Sequence, residues 1–319
     1  MKILVPLNDK NYLMNYIDAG ADEFYIGFYD ESWHSIFGDY TDINRMSGFK
    51  NKANKYSFIE VLRIVETIKS LKRNVFITMN ANVYSKKTLD YVKKEYIALL
   101  LSSGVDGIIT SDPNLIKLLI ENDIPVIAST MCNIYNSDIV KYYSELGVKR
   151  MILPRDISLN EIKMICVKRP KIQYEVFFMR NGCAFSDGYC LGLHGDCGST
   201  CEFIRNHKKR ILTSYNKFED IHSFDVNEYL YNNVFHRYAC GMCALYRLKS
   251  LGINSLKIVG RADICRGICE DIKLTKSNLE IAEACVSESE YLCKMKFPTN
   301  AHIQCMEGLS CYYPEIRFS

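Results

Sequence analysis

The rhythm of apolar runs constrains this chain more than any other feature. Over residues 1–180, short apolar runs alternate with longer stretches of helical spacing, the runs being of strand length. They occupy residues 2–6, 23–28, 74–79, 107–110, 125–129, 150–154 and 174–179, and an eighth, at 255–259, follows after a long gap. Helical periodicity is clearest over 57–71, 88–102, 114–121, 137–146 and 159–167. A repeated strand-then-helix order is the pattern of a parallel sheet, because each parallel connection needs a crossover, and the crossover helices cover the outer face. Eight such strands predict an α/β chain folded as a TIM-type (β/α)8 barrel rather than an open doubly wound sheet. No Gly-x-Gly-x-x-Gly follows an early strand, which removes the usual dinucleotide-binding reason for an open sheet.

The barrel divides the chain into 1–180, the first seven β/α units; 181–254, an insertion between strands seven and eight; and 255–319, the last strand, helices and a tail. The insertion would leave the barrel at the C-terminal face, where active sites of this architecture are built. Of the fourteen cysteines in the chain, the insertion holds Cys183, Cys190, Cys197, Cys201, Cys240 and Cys243. Glycines between them, such as Gly188 and Gly195, allow a tight backbone that turns several thiolates toward one point. The opening residues, MKILVPLNDK, fall far short of a signal peptide or membrane span, so a cytoplasmic chain is expected. In a reducing compartment clustered thiols read as metal ligands or redox groups rather than disulfides, with separately buried thiols as the simpler alternative. Four thiolates suit a 4Fe-4S cluster or a tetrahedral zinc ion equally. Cys197-x3-Cys201 with Cys240-x2-Cys243 has zinc-like spacing, whereas Cys183-x6-Cys190 is less typical of zinc. Cys265 and Cys269 would share a helix face, and these two, Cys305 and Cys311 read as structural thiols.

Polar residues just past the strand ends would face the barrel mouth: Asn80, Asn82, Ser111, Asp112, Thr130, Asn133 and Asp156. Each alone is as well explained by a turn or a helix cap. Arg155, Arg180 and Arg261, with Lys257, make a stronger set, because guanidinium forks suit carboxylate or phosphate, and an anionic substrate is expected there. For Lys257 and Arg261, which belong partly to a strand, ion pairing inside the barrel is the alternative. The net charge of +3 neither requires nor excludes a nucleic-acid partner. No His-Glu-x-x-His and no Gly-x-Ser-x-Gly occurs, and the histidines have no spacing that identifies a base. Cys183 with His194 is the formal cysteine-protease pair.

The tract Tyr174-Glu175-Val176-Phe177-Phe178-Met179-Arg180-Asn181-Gly182-Cys183, followed by Ser186-Asp187-Gly188-Tyr189-Cys190 and Gly195-Asp196-Cys197, resembles the signature region of the collagenase-like peptidase family U32. There a Glu-x-Phe strand leads into Cys-x6-Cys and then Gly-x-Cys. Ala19 to Gly27, Ala128-Ser129-Thr130, Leu153-Pro154-Arg155 and Gly252 to Arg261 agree in the same order, so the resemblance spans about residues 1–265. It implies chemistry other than the family name suggests. Better understood members hydroxylate tRNA uridine, ribosomal RNA cytidine or ubiquinone without oxygen, with prephenate as oxygen source. Several hold a 4Fe-4S cluster on four cysteines of this region, and the quinone pair acts as a heterodimer. Matched residue by residue, the ligands are Cys183, Cys190 and Cys197, with Cys240 as fourth and Cys201 or Cys243 as alternates. Two departures stand out: Met179-Arg180 replaces a common His-Gly, and Lys-Ile-Glu-Gly-Arg becomes Lys257-Ile258-Val259-Gly260-Arg261, losing an acid. The resemblance therefore implies an iron-sulfur enzyme that hydroxylates or otherwise modifies an RNA base or small aromatic molecule. A peptidase acting on peptides, and an accessory subunit serving a partner protein, are the alternatives.

Overall fold

The structure, a computed structural model, describes residues 1–38, 42–46, 50, 52–166, 171–183, 185–190, 238–298, 305 and 311–318. Eight parallel strands pair in chain order and close on themselves. They are β1 Lys2–Pro6, β2 Glu23–Ile26, β3 Asn74–Thr78, β4 Gly107–Thr110, β5 Val126–Ala128, β6 Arg150–Ile152, β7 Gln173–Met179 and β8 Ser255–Ile258. Closure is made where β8 pairs back onto β1, with Lys2 opposite Ser255 and Ile3 opposite Leu256. Every strand lies at an expected run, and the ring confirms the (β/α)8 barrel. Residues of β2, β4, β5, β6 and β8 are buried throughout, as a sheet covered on both faces requires.

The helices begin where capping chemistry allows. Ser57 and Glu60 form a reciprocal capping box at the start of Phe58–Ser70, and Asp112 caps Pro113–Glu121 through Asn114 and Leu115 N–H; both devices satisfy amide donors left free by the first turn. The single helix expected over 88–102 is instead Lys86–Tyr91, a π segment Val92–Tyr96 and Ile97–Ser103. The wider turn accompanies a buried Tyr96, whose hydroxyl donates to Asp30 at 2.6 Å among the rings of Phe28, Trp33 and Phe58. Among the described residues no helix is long and apolar enough to cross a membrane.

Beyond β7 the chain turns sharply, with Arg180 and Asn181 in the left-handed region at φ 67° and 41°. Cys240 re-enters beside this turn, bridging Met179 on one side and Cys311 on the other. The tail is held there: Tyr312 N–H donates to the Cys240 carbonyl at 3.1 Å and the Tyr313 hydroxyl to the Phe177 carbonyl at 3.2 Å. Of the expected insertion, residue 184 and residues 191–237 lie outside the described residues, and with them Cys197, Cys201 and His194.

Candidate active site

Alternation along a strand sends every second side chain toward the barrel axis. On β2 these are Glu23 and Tyr25, on β7 Glu175 and Phe177, on β8 Ser255 and Lys257. The lower polar layer is closed on itself. Glu23, fully buried, accepts from Arg150 Nη1 and Nη2 at 2.7 and 3.0 Å, from Ser255 Oγ at 3.1 Å and from Lys2 Nζ at 3.0 Å. Burial pushes its carboxyl up, but Arg150 and Lys2 more than offset this and hold it below the usual range. One layer higher, Lys257 Nζ donates to Glu175 Oε1 at 2.7 Å and sits 4.2 Å from the Tyr25 ring centre. Burial outweighs this pairing and lowers Lys257. Lys257 is thus an ion-paired residue of the barrel interior that also reaches the cavity above.

That cavity, of about 280 Å³, opens at the C-terminal ends of the strands. Tyr25, Ile109, Ile152, Phe177 and Val259 form its apolar walls. Arg261 enters it immediately after β8, 8% exposed. Its Nη1 donates to Thr78 Oγ1 at 2.8 Å and to Asn44 Oδ1 at 3.4 Å, both neutral acceptors. Among the described residues no carboxylate stands within ion-pairing distance of it, and burial lowers its guanidinium to about 10. Gly27 makes this seat possible, since a Cβ there would stand 2.4 Å from Arg261 Nη1 and from Asn54 Oδ1.

The other cations of the mouth are engaged. Arg155 turns Nε and Nη2 onto Asp187 at 2.7 and 3.1 Å, gives Nη1 to the Asn181 carbonyl, and lies with its guanidinium 4.2 Å from the Phe177 ring centre. Arg45, in the connection after β2, adds Nη1 to the same carboxylate at 2.7 Å, and Thr130 Oγ1 donates to it at 3.1 Å. Burial would raise Asp187, but the two guanidiniums hold it far below the carboxylate range. Arg180 is not among the cavity residues. Its guanidinium pairs with Asp271 and, at 3.2 Å, with Asp263, while the Tyr238 hydroxyl donates to Asp271 at 2.6 Å. The four cations expected at one anion site therefore separate: Arg155, Lys257 and Arg261 line the cavity and Arg180 fastens the Cys265–Ala284 helix.

The thiols separate as well. Cys183 lies on the cavity wall, with Phe185 N–H directed at its sulfur at 3.5 Å, and Cys190 is buried just beyond the Asp187 turn. That turn presses on the barrel mouth so closely that a Cβ on Gly188 would overlap the Asn133 side chain. Cys240 keeps other company: burial raises its thiol, and Cys311, Cys243 and Cys305 add to the effect. Among the described residues no three Cys, His, Asp or Glu side chains gather so that they could hold a metal ion. The described thiols, Cys183 on the cavity wall and Cys190 buried beyond the Asp187 turn among them, do not by themselves complete a cluster site.

The sequence pattern of peptidase family U32 matches residues 8–266. The chain belongs to peptidase family U32. Its relatives include an uncharacterized protease of Methanocaldococcus jannaschii, 29% identical over 66% of this chain and 50% of that protein. A tRNA hydroxylation protein P of Haemophilus influenzae is 28% identical over 43% of this chain and 30% of its own length. A 23S rRNA 5-hydroxycytidine synthase of Escherichia coli is 25% identical over 82% of this chain and 36% of its own length. The chain thus spans half or less of the length of these relatives. Sequence reasoning missed two residues at the mouth of this U32 barrel. Asp187 stood inside the tract that carried the resemblance but was unmarked as a ligand of arginines, and Arg45 had no sequence signal, being a lone basic residue in a polar connection.

Proposed function

We propose that this U32 chain is a hydroxylase-type enzyme that modifies an RNA base or a small aromatic ring without molecular oxygen, with a small carboxylate co-substrate bound at Arg261. The observation that carries this reading is Arg261 itself, buried at the cavity wall and, among the described residues, bonded to neutral acceptors with no carboxylate within ion-pairing distance. An unpaired buried charge costs several kcal/mol and persists where a ligand supplies the opposite charge. The apolar walls beside it suit a ring, and the position at the C-terminal face is where barrel enzymes carry out chemistry. RNA is favoured as substrate because relatives covering this chain are named for tRNA hydroxylation and for 5-hydroxycytidine synthesis in ribosomal RNA.

In this reading Arg261 anchors the carboxylate, Lys257 and the Tyr25 ring close the floor beneath it, and Phe177 with Ile152 keeps water from the reacting face. An iron-sulfur cluster on Cys183, Cys190, Cys197 and Cys240 belongs to the proposal, with Cys201 or Cys243 as the alternate fourth ligand. It would supply redox capacity or order the chain between β7 and β8. The test is mass spectrometry of tRNA and rRNA nucleosides from anaerobically grown cells with and without the gene. A nucleoside one oxygen heavier should vanish on deletion and return with the intact gene but not with Arg261→Gln. Identical nucleoside profiles in all strains would refute RNA hydroxylation, and colourless anaerobic protein holding one zinc would refute the cluster.

A further inference from the structure

We propose that Lys257 is a nucleophile that forms a Schiff base with the keto group of a 2-oxo acid whose carboxylate sits on Arg261. This rests on the reading of the cavity as an anion site, and it specifies the ligand class and a covalent step taken there. The two groups that capture a 2-oxo acid, an anchor for the carboxylate and an amine for the ketone, are both on the cavity wall. Lys257 enters from β8, and a left-handed turn at Gly260, φ 122°, directs Arg261 into the same space. Ile109, Ile152 and Phe177 line the remainder and suit the apolar end of such an acid.

The amine has the surroundings that activate a lysine. Burial lowers its ammonium below the usual value against the opposing pull of Glu175, and the charges of Arg261 and Arg150 add to the lowering; desolvation and neighbouring cations are the two established means. Among the described residues Glu175 Oε1 is its one hydrogen-bond acceptor, at 2.7 Å, and the Tyr25 ring covers another side, 4.2 Å from Nζ to the ring centre. An ammonium has three donors, so a third direction remains for the cavity that Lys257 lines.

The step balances within this pair. Glu175 Oε1 takes a proton from the ammonium, and the free amine attacks the keto carbon. The carbon–oxygen double bond opens, a proton passes from nitrogen to oxygen, and a carbinolamine results. Glu175 then returns its proton to the hydroxyl, which leaves as water, and the new iminium carries the charge that the ammonium had. Glu175, fully buried, therefore faces a cation before and after, so no charge is stranded in the barrel interior. Its Oε2, buried without a hydrogen-bond partner among the described residues, offers a second seat for the proton in transit.

The anaerobically purified protein is incubated with phenylpyruvate and cyanoborohydride, which delivers hydride to an iminium, then digested and analysed by mass spectrometry. The peptide containing Lys257 should gain the mass of phenylpyruvate less one oxygen atom, and Lys257→Met should gain nothing there. Lys257→Arg, which keeps the charge opposite Glu175, gives the same comparison should the methionine variant fail to fold. Phenylacetone, with the ring and ketone but no carboxylate, should leave Lys257 unmodified at concentrations where phenylpyruvate saturates it. Arg261→Gln should need at least about tenfold more phenylpyruvate. Calorimetry with 3-phenylpropionate, which has the carboxylate but no ketone, reports the anion site separately, and Arg261→Gln should lose this probe. No adduct on Lys257, equal labelling by phenylacetone, or labelling no greater than that of surface lysines, with 3-phenylpropionate binding intact, would overturn the Schiff base alone. Absence of 3-phenylpropionate binding by the wild type, or undiminished binding by Arg261→Gln, would overturn the anion site and this inference with it.

Discussion

Replacing Arg261 by methionine should make the protein more stable while destroying its anion site. Burial lowers the guanidinium well below its usual value, to about 10, and at about 1.36 kcal/mol per pH unit this is a folded-state penalty of about 3 kcal/mol. The sign follows from linkage. Arg261 is charged in folded and unfolded chains alike at neutral pH, so the penalty is present in full below about 10 and is relieved only as the pH climbs from there toward the value of the unfolded chain. Methionine removes the penalty and fills most of the same volume with apolar atoms. It also removes the charge-assisted bond to Thr78 at 2.8 Å, worth about 1.5 kcal/mol, and the long one to Asn44 at 3.4 Å, worth about 0.5 kcal/mol. Neither partner is left bare, since Thr78 Oγ1 still donates to the Ile26 carbonyl at 3.2 Å and Asn44 Oδ1 still accepts from Met46 N–H at 3.1 Å. The net expectation is a gain of about 1–2 kcal/mol, or a rise in Tm of about 1–3 °C in a chain of this size. Urea unfolding at pH 7, followed by the fluorescence of the single tryptophan, Trp33, which is fully buried, measures it, with Arg261→Lys as the variant that keeps the charge. The reasoning fails if Arg261→Met is less stable than wild type by about 1 kcal/mol or more, or if Arg261→Lys gains as much.

Two further variants probe the barrel interior. Arg150→Met strands Glu23 and Glu175 without their shared guanidinium and should cost about 3–5 kcal/mol in urea unfolding at pH 7. Because Glu23 is held below its usual value of 4.5, the stability it contributes is present above that pH and lost as the pH falls through the folded value. Stability of the variant should therefore decline less steeply than that of the wild type on acidification below 4.5. Gly27→Ala puts a methyl group 2.4 Å from Arg261 Nη1 and should displace the guanidinium, so carboxylate binding by calorimetry should fall as in Arg261→Gln while the circular dichroism of the barrel is kept. Wild-type affinity in Gly27→Ala would show that the anion is anchored elsewhere.

The strands were legible because each is a local run of apolar residues whose burial on both faces leaves no other economical use for it. Even Ser255–Ile258, separated from β7 by a long gap, was recognisable from its own few residues. The helix over 88–102 was legible in position but not in form, since the π segment depends on where the Tyr96 hydroxyl finds Asp30, a contact between distant parts of the chain. At the site, the location past the strand ends was readable, as was the polar character of the residues there. Which guanidinium remains available was not. Arg155, Arg180 and Arg261 have equivalent standing in the sequence, each just beyond a strand, and are distinguished only by carboxylates far along the chain.

The amino-acid sequence by itself determined the barrel, its strand order and the face on which chemistry would be found, because hydrophobic periodicity is a property of neighbouring residues and parallel closure admits few orders. Tertiary structure alone decided the distribution of charge. Asp187 meets Arg45 across 142 positions and Arg155 across 32, Asp271 meets Arg180 across 91, and Cys240 finds Cys311 rather than Cys183 as its strand partner. Ion pairs and thiol neighbours act over a few ångströms in space and carry no signature along the chain. Arg261, a cavity cation with no carboxylate in ion-pairing distance among the described residues, therefore emerges only when the barrel has closed.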